Sequence, residues 1–170
     1  KLIEPEEILM ITFTNKAAQE MRERMVQQLN NAPTPWIATF HSMCAKILRI
    51  EGEHLGFSQN FAIYDSQDQL EAVKEAMKRL NISIKDTKPT AVLHTISQAK
   101  NEVISAAEYL SFARGQFQET VAKIYPMYQT VLKESNALDF DDLIGQTIKL
   151  FQEHEKILKK YQTRFRYILV

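Results

Sequence analysis

Apolar residues change spacing several times along this chain, and each change marks an element. Residues 8–13 form a compact apolar run that reads as a strand. From about Lys16 to Leu29 the spacing becomes helical, with Ala17, Ala18, Met21, Met25 and Leu29 on one face. Asn30, Asn31, Pro33 and Pro35 stop that helix. A second strand is expected at 36–40, followed by a helix from about Met43 that turns Met43, Cys44, Ile47 and Leu48 inward. Strand, crossover helix and strand predict a parallel pair with a right-handed connection. Phe61 to Tyr64 reads as a short extended piece leaving this unit.

The spacing is helical almost throughout 63–136. Asp65 or Ser66 caps a helix whose seam is Leu70, Val73, Met77 and Leu80, with Ser66 and Gln69 at capping-box spacing and Asn81 as the stop. A second helix follows Pro89 with Val92, Ile96, Ala99 and Val103 inward, and a short third lies between Ser105 and Gly115. A fourth spans about Phe117 to Glu134 on a stripe of Phe117, Val121, Ile124, Tyr128 and Val131, with Pro126 expected to kink or split it. From 137 to 170 the pattern returns to mixed character. Asp139 caps a helix holding Phe140, Leu143, Ile144, Thr147 and Phe151. A short helix follows at about Glu155 to Tyr161, and Phe165 to Val170 reads as a buried parallel strand. The fold class is α/β, predominantly α by residue count, with an all-helical insertion. The expected divisions are 1–62, 63–136 and 137–170.

Composition narrows the function classes. A chain of 170 residues with 45% apolar and 25% charged residues is ordinary for a soluble globular protein. Zero net charge argues against attachment to nucleic acid by bulk charge, though a local basic stripe is compatible with it. The single cysteine, Cys44, excludes an internal disulfide and suggests a reducing compartment. No apolar run approaches a membrane span, so no membrane partner and a cytoplasmic location are expected.

A repeated motif carries the chemistry. ITFTNKAAQEM (11–21) and ATFHSMCAKILR (38–49) each run from strand through Thr-Phe to a polar pair that opens a helix. The pattern sets an aromatic ring beside helix-start amides that attract anions. Flat rings suit bases and N–H donors suit phosphates. Thr12, Phe13, Thr14, Asn15, Thr39, Phe40, His41 and Ser42 are therefore candidate nucleic-acid contacts, with Lys16, Lys46 and Arg49 near the same edge. Phe13 is the better stacking candidate. The competing readings are core phenylalanines with ordinary helix caps, or a non-catalytic module that binds nucleic acid or protein.

Other polar groups carry less. The four histidines lack metal-ligand spacing. His41 and Ser42 are adjacent, but side chains at i and i+1 diverge and no acid partner is evident, so they make no catalytic pair. Asp139, Asp141 and Asp142 are better explained as a cap with first-turn carboxylates than as a metal site. Lys100, at the end of the second insertion helix, is a candidate for touching a nucleic-acid backbone, and a solvated helix end is the competing reading. None of the four glycines sits in a phosphate-binding loop, and no Asp-Glu pair follows the last strand.

ITFTNKAAQEMRERM (11–25) resembles motif Ia of the UvrD/PcrA/Rep group of superfamily 1 DNA helicases, and IATFHSMCAKILR (37–49) resembles the group's Thr-Phe-His-Ser motif. YDSQDQL (64–70), ISQAKNE (96–102) and LDFDDLI (138–144) resemble later segments in the same order, closest to the PcrA-type bacterial members. The resemblance implies that 1–62 and 137–170 form part of a first RecA-like motor domain, with 63–136 a helical insertion near duplex DNA. It implies an ATP- and Mg2+-dependent 3′-to-5′ helicase whose partners are single-stranded DNA, single/double-strand junctions and its own remaining domains. It puts Thr12 to Asn15 and Thr39 to Ser42 on the single-strand track and Lys100 near the duplex. It also implies that the phosphate-binding loop precedes Lys1 and the magnesium motif follows Val170. The 170 residues alone are then expected to be inactive and to hold neither cofactor.

Overall fold

The computed structural model describes residues 3–29 and 33–170. They divide into two compact units, 1–56 with 146–170, and 57–145. The expected stop at Asn30-Asn31 lies outside the described residues.

The first unit is built on a parallel three-stranded sheet. A 3-10 turn at Pro5–Glu7 leads into β1 (Ile8–Thr12), followed by α1 (Asn15–Gln28), β2 (Trp36–Thr39) and α2 (Phe40–Glu51). A second 3-10 turn at Gly52–Leu55 closes α2. After 146 the unit contains the end of α7 (Phe140–Glu153), then α8 (Glu155–Arg164) and β5 (Tyr167–Leu169). The strand order is β2-β1-β5, with both neighbours parallel to β1. Leu9, Ile11, Ile37, Ala38, Ile47 and Leu48 are buried. Met21, Met25 and Met43 are only half-buried. Along α7 the buried positions are Asp142, Leu143, Thr147 and Leu150, while Phe140 and Ile144 are exposed.

Two polar ties fix the later elements of this unit. Lys160 Nζ lies 2.5 Å from the buried carboxylate of Glu51, and the Tyr161 hydroxyl donates to the same oxygen at 3.4 Å. Burial, and then the Glu51 charge, push the Tyr161 phenol up to about 12. The Arg166 amide donates to the Glu7 carbonyl at 2.9 Å, setting β5 beside β1. β5 is not the buried strand its composition suggests: Ile168 is 60% exposed. Among the described residues it pairs with β1 alone, and its apolar side chains face solvent.

The second unit is helical with one small sheet. Its elements are β3 (Ala62–Tyr64), α3 (Ser66–Arg79), α4 (Pro89–Asn101), α5 (Tyr109–Phe112), α6 (Gln116–Glu134), β4 (Ala137–Asp139) and the start of α7. β3 and β4 pair in parallel, Ala62 with Ala137 through Tyr64 with Asp139. This unit therefore carries a short strand pair beside its helices. This pairing joins the segments on either side of the helices within the unit 57–145. Val73, Ala76 and Met77 of α3 pack with Val92 and Ile96 of α4 and with Val121, Ile124, Tyr125 and Tyr128 of α6. Phe117, expected on the inward stripe, is exposed.

Local chemistry explains the helix ends. Asp65 caps α3 by accepting the Gln67 and Asp68 amides, and Asn81 follows α3 with φ 56°. Gly115, at φ 88° and ψ 163°, opens α6 in backbone space essentially restricted to glycine. Helix α6 continues through Pro126 instead of splitting there. Pro126 is exposed, while Ile124, Tyr125, Tyr128 and Leu132 anchor both sides in the core. Helix α4 ends at Asn101 and Val103 follows at φ 58°, beside the Ile104 amide that reaches back to the Ala99 carbonyl at 2.9 Å. A β-branched residue is strained there. Val103→Gly is expected to stabilise the unit by about 1 kcal/mol, read as a higher urea midpoint. An unchanged or lower midpoint contradicts that strain.

Candidate nucleic-acid interface

The carboxyl ends of β1 and β2 lie side by side. Thr12 pairs with Thr39 in the parallel register, so the two Thr-Phe turns leave the sheet at the same level. Thr14 caps α1, its hydroxyl accepting the Ala17 amide at 3.1 Å. Asn15 and Lys16 open the helix, and both are exposed.

The second turn is held more tightly. Thr39 is buried, and its hydroxyl oxygen accepts the Ser42 amide at 3.2 Å. Ser42 Oγ accepts the Thr39 amide at 2.9 Å and donates to the Thr39 carbonyl at 3.0 Å. This reciprocal cap explains why α2 begins at Phe40, three residues before the helical spacing becomes visible. It also engages the Ser42 hydroxyl with Thr39, so His41 and Ser42 form no nucleophile–base pair. Thr39 and Ser42 set the geometry of the turn, while His41 is exposed at its tip.

The two phenylalanines meet above this rim. Phe13 is 84% exposed. Its ring lies 5.6 Å from that of half-buried Phe40, tilted by 44°. Phe40 thus braces one side of an aromatic ring that is otherwise open to solvent. Such a ring beside helix-start amides can stack a base while the amides receive an adjoining phosphate.

Lys100 does not belong to this surface. It is 9% exposed, and its Nζ lies 2.5 Å from Asp139 Oδ2 and 2.8 Å from Asp142 Oδ1. Tyr128 donates its hydroxyl to Asp139 at 2.8 Å, and Gln129 donates to Asp142 at 3.2 Å. The two aspartates also cap α7 reciprocally, through the Asp142 amide at 2.8 Å and the Asp139 amide at 3.3 Å. Burial pushes the Asp142 carboxyl up, and the Lys100 charge pulls it back. The expected duplex contact is corrected accordingly: this ammonium is ion-paired inside the helical unit.

The same contacts test the acidic run against magnesium. Asp139 and Asp142 already share an ammonium ion, and Asp141 accepts the Ser97 hydroxyl at 2.6 Å. Among the described residues no group of three or more His, Cys, Asp and Glu side chains is arranged to hold a metal ion. These carboxylates do not fit a magnesium–nucleotide site. Nor is any helix among those residues long and apolar enough to cross a membrane.

Comparison with known proteins adds the family. A model described as the UvrD/REP helicase N-terminal domain matches residues 1–170. The chain belongs to the UvrD/REP helicase family. The ATP-dependent DNA helicase PcrA of Bacillus subtilis (strain 168) is 45% identical over 171 residues, covering 100% of this chain and 23% of that protein. The corresponding PcrA of Leuconostoc citreum is 44% identical, over 98% of this chain and 22% of the relative. A probable DNA helicase II homolog of Mycoplasma capricolum is 42% identical, over 99% and 24%. The chain thus spans about a quarter of the length of these UvrD/REP relatives.

Proposed function

We propose that this chain supplies part of the single-stranded DNA track of an ATP-dependent helicase that moves 3′ to 5′. The observation that carries the reading is the Thr12–Thr39 register, which brings exposed Phe13 against Phe40 beside the first turn of α1. Membership of the UvrD/REP family supports it. In this reading Phe13 stacks a base and Phe40 braces it. Thr14, Asn15 and His41 meet the sugar-phosphate backbone, and Thr12, Thr39 and Ser42 hold the two turns in place. The first unit is part of a RecA-like motor domain, and the second is a helical insertion facing the single/double-strand junction.

ATP and Mg2+ belong to the intact protein, held by residues other than those described. ATP supplies the free energy for stepping. The residues described here bind and orient the strand. The test is strand separation by the intact protein, with ATP, on duplexes carrying a 3′ or a 5′ single-stranded tail. Separation is expected with the 3′ tail. ATP-independent binding with no separation on either substrate favours a non-catalytic binding module.

A further inference from the structure

A second polar surface lies beside β2, in the same unit. Trp36, at the start of that strand, lines a cleft of about 470 Å3 together with Arg22, Lys46, Arg164, Ser42 and Glu6. Lys46 Nζ stands 4.6 Å from the centre of the Trp36 ring, and the Arg164 guanidinium carbon stands 5.5 Å from it. The Phe165 ring packs 5.2 Å from the same indole. Arg22 is oriented by donating to the Ile37 carbonyl at 3.2 Å and to Gln19 Oε1 at 2.7 Å.

The cleft gathers three cations against one carboxylate. Arg79, Lys100, Lys160 and Arg166 each have a carboxylate partner. Arg22, Lys46 and Arg164 have none among the described residues, and only Glu6 opposes them in the cleft. The indole face attracts Lys46 and Arg164 through its quadrupole. It fixes their positions without neutralising them, so their field remains directed into the cleft. Three cations gathered in this way repel one another until an anion enters. Guanidinium forks match phosphate oxygens in pairs, and an ammonium adds a point charge.

Ser42 links this cleft to the strand-end rim. It lines the cleft and also forms the cap that holds the Thr39-Phe40 turn. Lys46 follows one helical turn later on α2, about 6 Å along the axis. We propose that the Trp36 cleft is an anion site that seats a backbone phosphate of the nucleic-acid strand lying on the Phe13–Phe40 rim. This rests on the strand-binding reading above and adds a contact to it.

The test compares salt dependence in three variants of the intact protein, titrated with a single-stranded oligonucleotide. Lys46→Gln/Arg164→Gln removes two exposed charges and leaves the core untouched. Its plot of log affinity against log salt is expected to be shallower by about 0.7, the contribution of one single-strand phosphate. Lys46→Arg/Arg164→Lys keeps the charges and is expected to keep the wild-type slope. Phe13→Ala is expected to weaken binding with the slope intact. If Phe13→Ala weakens binding but the glutamine variant keeps the wild-type slope, the cleft proposal fails alone. A slope lost equally in the charge-retaining variant also overturns it. If neither Phe13→Ala nor the glutamine variant changes binding, the strand-binding reading fails and the cleft fails with it.

Discussion

Lys100→Met is expected to destabilise the helical unit by about 3–5 kcal/mol at neutral pH, because it leaves two buried carboxylates without their cation. Asp139 and Asp142 are both nearly inaccessible and both pair with this ammonium. The network spans α4, α6, β4 and the start of α7, so the damage should extend through that core. The variant should also respond to acid. Burial already pushes the Asp142 carboxyl up, and losing Lys100 removes the attraction that opposes this shift. A carboxylate with a raised folded value costs stability above that value, and the cost falls as protonation proceeds toward the ordinary unfolded value. The deficit relative to wild type should therefore shrink as pH falls through the mildly acidic range. Hydrogen exchange of residues 57–145 in the intact protein, at neutral and mildly acidic pH, measures both effects. Wild-type protection in Lys100→Met at neutral pH would refute the account.

Phe13→Ala should weaken single-strand binding by about 1–3 kcal/mol, roughly 5- to 150-fold, the range measured for aromatic–base stacking. The ring is 84% exposed, so its removal should leave folding stability almost unchanged. That separation makes the variant diagnostic: affinity falls while the unfolding midpoint holds. Phe13→Trp should retain most of the affinity, since the larger ring still offers a face. Phe40→Ala is less clean, because Phe40 is half-buried at the start of α2 and its loss alters both packing and the brace beneath Phe13. Equilibrium titration with a short oligonucleotide at fixed salt decides the matter. Unchanged affinity in Phe13→Ala removes this ring from the interface.

The rim was legible in the sequence because its determinants are local. Thr14 three residues before Ala17, and Thr39 three before Ser42, are cap spacings within a single turn. Pro89 marks the first turn of α4 for the same reason. Features depending on distant residues were not legible. Lys100 looks like a solvated helix end until Asp139 and Asp142, about forty positions away, are brought to it. The strand Ala137–Asp139 is too short to show alternation and exists only through its pairing with Ala62–Tyr64. Arg164 and Trp36 meet across the length of the first unit, so no window of sequence contains the cleft. The apolar run Tyr167 to Val170 reads as buried and is exposed, because composition does not reveal whether a strand is covered on its faces.

The pairing of Thr12 with Thr39 also determines where this molecule tolerates changes in length. One residue inserted within Ile8–Thr12 would move every later position by about 3.3 Å and reverse the side to which each side chain points. Phe13 would then lose its neighbour even though no residue of the rim had been replaced. Added residues near Gly56, in the exposed stretch before Phe61, leave that alignment intact. An engineer introducing a tag or a reporter domain should therefore choose that stretch and leave the strands at their present length.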